Sequence, residues 1–287
     1  MTLTITPIWP EFGASVRGLN LAESLPAHVV EELEAALGRY AVLSFPEQPL
    51  NDEQQLEFSG RFGRIHQSVI APEKRRLKNL HFGDVSNLKS DTEILDEGSE
   101  RKKFSDANLL WHTDLSFMNP PARCTVLSAR RLPSEPPPTE YIDMRRVWEA
   151  LPNEMKQRLQ GLTAEHSLAY SRRRTGYLDF SQDEKSKAPA VIHPLVRVHR
   201  ASGRTTLYLS SHIGRIVELS QQESDALLAE LNAFADQPQF IRAYPWQPND
   251  VVIWDDSCTM HRAVPFDAKG QIRELRWNGI YEPAPLL

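Results

Sequence analysis

The feature that most constrains this chain is a succession of short strand-like runs with helical patterning confined to a few places. Residues 124–129 (CTVLSA), 139–142, 193–198 (HPLVRV), 205–209 (TTLYL), 251–254 (VVIW) and 275–280 have strand composition and are bounded by turn residues. Leu3, Ile5 and Ile8 alternate as a further strand, and 41–45 (AVLSF) is a buried one ended by Pro46. Helical spacing is seen at 27–38, with Gly38 as its stop signal, at 52–62 behind the cap Asn51, at 146–160 and at 221–235. Leu56 and Phe58 face inward in the second of these, and Leu227, Leu228 and Leu231 share one face of the last. A doubly wound sheet needs strand and helix in alternation throughout, and neither GxGxxG nor a P-loop is present. The pattern predicts a mostly β protein with helical insertions, a β-barrel or jelly roll braced by α-helices, with residues 1–287 as one domain.

Composition narrows the function classes. A net charge of -5 disfavours nucleic acid and membrane surfaces, both of which need a positive field. The two cysteines, Cys124 and Cys258, form no disulfide framework, so a reducing cytoplasm is expected. The start of the chain carries neither the basic region nor the apolar run of a signal peptide. No stretch approaches the roughly 20 apolar residues of a membrane span. These readings leave a small molecule as the expected partner, and they are compatible with a homo-oligomer.

Two segments, 88–105 and 171–188, are charged and lack sustained periodicity. They read as solvated loops or as lids over a site. The first leads directly into the candidate site.

That site starts at His112-Thr113-Asp114. Residues i and i+2 of an extended strand share a face, so an imidazole and a carboxylate can reach one metal. His-x-Asp alone is weak evidence, yet none of the other eight histidines begins a His-x-Asp or His-x-Glu. The second anchor is 246–262, WQPNDVVIWDDSCTMHR, where turn chemistry precedes a buried strand and His261 follows it. Two histidines and a carboxylate leave adjacent positions open on Fe(II) for a keto acid and dioxygen. Arg273, beyond His261, offers a guanidinium for the far carboxylate of such an acid. A zinc hydrolase or a cupin-like binding protein remain alternatives, although neither has a need for Arg273. Cys258 is set aside as a ligand because the oxygen-handling site uses nitrogen and oxygen donors.

The ordered combination of WHTD, PPPTEYIDM, HPLVR, WQPNDVVIWDD, MHR and IRELR resembles the taurine dioxygenase and 2,4-dichlorophenoxyacetate dioxygenase group. The similarity begins with GASVRGLNL and FPEQPLNDEQQLEFSGRFG and covers nearly the whole chain. It implies a distorted double-stranded β-helix, and an enzyme that uses Fe(II), 2-oxoglutarate and O2 to hydroxylate a small organic acid. Succinate and CO2 are the implied co-products. It implies His112, Asp114 and His261 as iron ligands, and Arg273 with Thr139 as the grip on 2-oxoglutarate. Trp254 matches the family's tryptophan, with a core role as its plainer reading, while Asp256 and Ser257 stand where the family usually has Asn-Arg. Ser116 and Arg197 match positions at the substrate. The arginine that grips the acid in both reference activities should stand four residues after Arg273, where this chain has Trp277. An aryloxyalkanoate or related aryl acid is therefore expected, held by Arg197 or by a lid cation such as Lys89, Arg101 or Lys102. A sulfonate, a sulfate ester or a neutral substrate is the competing expectation.

Overall fold

A computed structural model describes residues 3–267 and 270–283. Strand Val251–Asp255 shows how the sequence builds its layers. All five residues are buried, because the strand is covered on both faces. Val251 and Ile253 join a core with Leu33 and Leu37 of helix Ala27–Tyr40. Val252 and Trp254 point the other way, into a cluster shared with Tyr141 of the facing sheet. The period-two alternation of a strand is preserved, but apolar layers on both sides hide it from the sequence.

This strand is central to a seven-stranded sheet ordered Thr4–Pro7, Ala14–Arg17, Val42–Phe45, Val251–Asp255, Ala122–Arg131, Glu274–Tyr281, Gly83–Ser86. Its pairings are antiparallel except that of Ala14–Arg17 with Val42–Phe45. Facing it is a three-stranded sheet, Ile241–Tyr244, Thr139–Asp143, Thr259–Ala263, paired antiparallel. Ile213–Ile216, Thr163–His166 and Val191–Pro194 form another, and Val196–Val198 pairs with Thr205–Leu207. Helices Met144–Ala150 and Gln221–Ala235 cover the smaller sheets through Met144, Val147, Leu227 and Leu231. The protein is mostly sheet with bracing helices, as expected.

Several boundaries differ for identifiable reasons. Gly38 does not stop its helix, which runs to Tyr40 and ends on a left-handed Ala41 at φ 62°. The glycine instead admits a neighbour, since a Cβ there would lie 2.5 Å from that of Ala201. The expected helix 146–160 is two helices, Met144–Ala150 and Asn153–Arg158, because Pro152 drives Leu151 out of helical conformation. The run 193–198 is likewise two strands that divide after Pro194, which has no N–H for a ladder. Asn51 does cap its helix, Asp52–Gly60, through a reciprocal bond pattern with Gln54.

Candidate metal and keto-acid site

His112 and His261 come together through their main chains. Each donates its N–H to the other's carbonyl, at 3.0 and 2.9 Å, so the two residues are directly opposed and their rings lie 4.2 Å apart. His261 belongs to strand Thr259–Ala263, whereas His112 forms only this isolated bridge. The expectation that His112 and Asp114 share one face of a strand is corrected here: Asp114 opens a turn, and Leu115 follows at φ 48°. Thr113 fixes the crossing point, its hydroxyl within 2.9 Å of the Leu209 and Thr259 carbonyls. The turn swings the carboxylate back over the rings. Its oxygens lie 3.6 Å from Nε2 of each histidine, and one donor atom from each of the three residues falls within 4.8 Å of the others.

Protonation states suit a cation. Burial pushes both imidazoles down, His261 to about 3, so both are neutral ligands at neutral pH. The Nδ1–H of His112 donates to the Leu110 carbonyl at 2.7 Å, which turns the Nε2 lone pair into the site. His261 lacks such a partner on Nδ1 and is positioned by the Trp254 and Tyr141 rings. Burial would raise Asp114, but the two imidazoles and hydrogen bonds from Trp277 and Thr125 hold its carboxyl below the usual range.

A second carboxyl lies behind the first. Asp256 Oδ1 accepts from the backbone N–H of Asp114 and from Trp254 Nε1, both at 3.1 Å. Burial and the neighbouring Asp114 push its acid well up, which favours the protonated form. The Thr125 hydroxyl lies 2.8 Å from Asp256 Oδ2 and 3.0 Å from Asp114 Oδ2. One hydroxyl hydrogen serves only one of them; with the other bond donated by the acid, the whole chain is satisfied. Asp256→Asn keeps a neutral acceptor and donor and should cost less than about 1 kcal/mol in chemical denaturation. Asp256→Ala strands the buried partners and should cost roughly 2–4 kcal/mol. Equal losses in the two variants would refute a neutral Asp256.

The three residues sit at the base of a cavity of about 380 Å³. Leu127, Trp254 and Trp277 from the large sheet and Thr139 and His261 from the facing sheet contribute to its wall. Thr139 Oγ1 accepts from Trp246 Nε1 at 2.9 Å, which leaves its own hydrogen to be donated. Arg273 precedes strand Glu274–Tyr281 and is 6% exposed, with Nε unpartnered. Burial lowers it to about 10, so it remains a cation without a protein counter-charge on Nε. The buried, unmatched guanidinium calls for an anion.

Trp277 does more than wall the cavity: its Nε1 donates to Asp114 Oδ2 at 2.8 Å. Added Cβ atoms at Gly83 and Gly279 would lie 2.7 and 2.6 Å from its ring, so bare backbone on either side makes room for the indole. Both charged segments contribute wall residues, among them Arg101 and Phe104 from the first and Arg172 and Tyr177 from the second. They are not plain loops, since each carries a short helix, Glu100–Asp106 and Gln182–Lys187, capped by Ser99 and Ser181. Phe104 packs edge-on against Tyr177 at 5.0 Å, and Thr175 Oγ1 donates to the Lys103 carbonyl, joining the two segments.

The expected substrate residues fare differently. Ser116 and Arg197 are not among the described residues that line the cavity. The turn at Leu115 breaks the alternation that would have aimed Ser116 inward, and its hydroxyl is wholly buried elsewhere. Arg197 pairs with Glu282 at 2.6 Å and lies over the Tyr208 ring. Lys89 and Lys102 pair with neighbouring acids outside the wall, and Arg101 is held by Asp84 at 2.6 Å. His66, His212 and Arg172 also line it. Nothing in their spacing singled them out.

Residues 4–277 match the model of the family described as taurine catabolism dioxygenase TauD, TfdA family. The chain is 36% identical over 278 residues to the alpha-ketoglutarate-dependent 2,4-dichlorophenoxyacetate dioxygenase of Cupriavidus pinatubonensis, covering 96% of each. It is 34% identical over 271 residues to the (S)-phenoxypropionate/alpha-ketoglutarate-dioxygenase of Sphingobium herbicidovorans, covering 92% of this chain and 90% of that one. The crystal structure of AAD-2 in complex with Mn(II) and N-oxalylglycine superposes with a TM-score of 0.92 at 37% identity, covering 100% of both chains.

Proposed function

The chain belongs to the taurine catabolism dioxygenase TauD, TfdA family, and on that premise we propose that the acid it oxidises is an aryloxyalkanoate or a close aryl relative. The reaction class is that of an oxidoreductase dependent on Fe(II), 2-oxoglutarate and dioxygen, with a small organic acid as substrate. The observation that carries the substrate reading is the cavity itself. Leu95, Phe104, Leu115, Phe117 and Trp277 give it an apolar wall, and an aromatic stands where an acid-gripping arginine was expected.

Bound Fe(II) would supply open coordination positions and redox activation of dioxygen, with 2-oxoglutarate giving up two electrons as it becomes succinate and CO2. In this reading the protein contributes the rest. His112, Asp114 and His261 hold the metal, as two neutral donors and one ionised one. Arg273 receives the far carboxylate of 2-oxoglutarate and the free hydrogen of Thr139 binds the same group. The segments at 88–105 and 171–188 act as lids that keep bulk water from the reacting atoms. The two sheets that face each other across the cavity support a distorted double-stranded β-helix, or jelly roll, serving as one catalytic domain over residues 1–287. Where the hydroxylated carbon bears an ether oxygen, the hemiacetal collapses to a phenol and a carbonyl compound. Among the described residues no helix is long and apolar enough to cross a membrane, and both cysteines are buried and unpaired; the reading places the enzyme in a reducing cytoplasm.

The test is a succinate-release screen of the anaerobically iron-loaded enzyme against aryloxyacetates, aryloxypropionates, alkyl sulfonates, sulfate esters and neutral aryl ethers. Succinate coupled one-to-one to an aryloxy acid is expected. Strong coupling to an alkyl sulfonate or sulfate ester with none to any aryl acid would overturn the substrate reading and leave the reaction class untouched.

A further inference from the structure

The cavity holds a second buried cation that the keto acid does not require. Arg172 ends its side chain against the same space as the metal ligands and is 8% exposed. Its Nε and Nη1 are both buried and without a protein hydrogen-bond partner. The guanidinium lies over the Phe104 ring at 4.4 Å, which fixes its plane and leaves its edge donors unused.

The other cationic side chains on the wall are largely committed. Lys74 is paired with Glu184 at 2.9 Å, Arg76 with Asp84 at 2.8 Å and Glu274 at 2.6 Å, and Arg101 with Asp84. Arg75 is half-buried and fixed by the Asn79 and Phe82 carbonyls through Nη2, with Nη1 buried and without a partner. Arg273 and Thr139, which also line the cavity, are already assigned to 2-oxoglutarate. A buried guanidinium with two open donors is costly unless an anion answers it. Burial lowers Arg172 only to about 10, so it does not escape by losing its proton.

We infer that Arg172 is the substrate-anchoring cation, and that it binds the carboxylate of the oxidised acid through Nε and Nη1. The inference rests on the acid-substrate reading and names the residue that enforces it. Trp277 has taken the strand position where an anchoring arginine was expected, and the cation reaches the cavity instead from helix Leu168–Arg173. The anchor therefore belongs to the segment that packs on the other lid, since Phe104 lies beneath the guanidinium and beside Tyr177. Acid binding and the docking of the two lids share one residue.

The experiment is calorimetric titration of the Mn(II)-loaded enzyme, saturated with 2-oxoglutarate under argon, with 2,4-dichlorophenoxyacetate and with its methyl ester. The proteins compared are wild type, Arg172→Met and Arg75→Met, each with a thermal melt. Arg172→Met, which retains a packing chain against Phe104, should weaken acid binding by about thirtyfold or more. The ester and the 2-oxoglutarate affinity should change by less than about threefold. Equal loss for acid and ester would make Arg172 a packing residue and overturn the inference. So would unchanged acid affinity, or a selective loss in Arg75→Met alone. A wild type that binds neither acid nor ester would sink the substrate reading, and this inference with it, whereas a wild type that binds the acid isolates the question to Arg172.

Discussion

Replacing His261 with alanine is expected to abolish succinate formation, by more than about a hundredfold, while the chain stays folded. The magnitude follows from the ligand count: outer-shell partners of metal ligands already cost ten- to a hundredfold, and His261 is one of only three side chains in the cluster. Survival of the fold follows from how the two histidines meet. Their bridge is made by main-chain N–H and carbonyl groups, which alanine keeps. The void left between Trp254 and Tyr141 should lower stability by an amount typical of a core truncation, roughly 2–4 kcal/mol. His112→Ala and Asp114→Ala should lose turnover likewise. The readouts are succinate release and the rise in melting temperature on adding Mn(II), which the wild type should show and His261→Ala should lose. Iron-dependent turnover near the wild-type rate in His261→Ala would falsify the triad.

Arg273→Ala should raise the KM for 2-oxoglutarate by about thirty- to several thousand-fold, the equivalent of roughly 2–5 kcal/mol for a desolvated charge-assisted contact. Thr139→Val, which removes one hydroxyl donor and orphans the Trp246 N–H, should cost roughly 1–3 kcal/mol. Affinity for the oxidised acid should hardly move in either variant, because the inferred anchor of that acid is Arg172 and both variants leave it in place. A KM for 2-oxoglutarate within about threefold of wild type in Arg273→Ala would dismiss it as the clamp.

The sheet-rich architecture and the membership of the metal cluster could be read from residue order; the way the cluster is assembled could not. His112-Thr113-Asp114 suggests a strand, and only the opposed His261 and the turn at Leu115 show how the carboxylate reaches the rings. Strand 251–255 was recognisable by composition although its alternation is masked by burial on both faces. Pro152 and Pro194 cut a helix and a strand whose patterns run through them. The substrate side was least legible. Arg197 has a suitable type and place in the sequence, and Glu282, eighty-five positions on, takes it away. Arg172 lies in a charged run, SRRRTG, where three arginines look alike until burial separates one from two exposed neighbours.

Trp277 also limits the routes by which this pocket can be remodelled. Arginine at 277 would leave Asp114 without its indole N–H donor and set a permanent positive charge beside the metal's carboxylate. It would also leave Gly83 and Gly279 flanking a thinner side chain, with hollows where the ring edges had been. Larger residues cannot be put at either glycine beforehand, because the ring already occupies the space their Cβ atoms would need. The three positions form an interlocked unit in which no single exchange is an improvement. Directed evolution by one substitution at a time should therefore alter acid preference through the 171–188 segment and leave 277 fixed, whereas libraries that vary 83, 277 and 279 together can cross the gap.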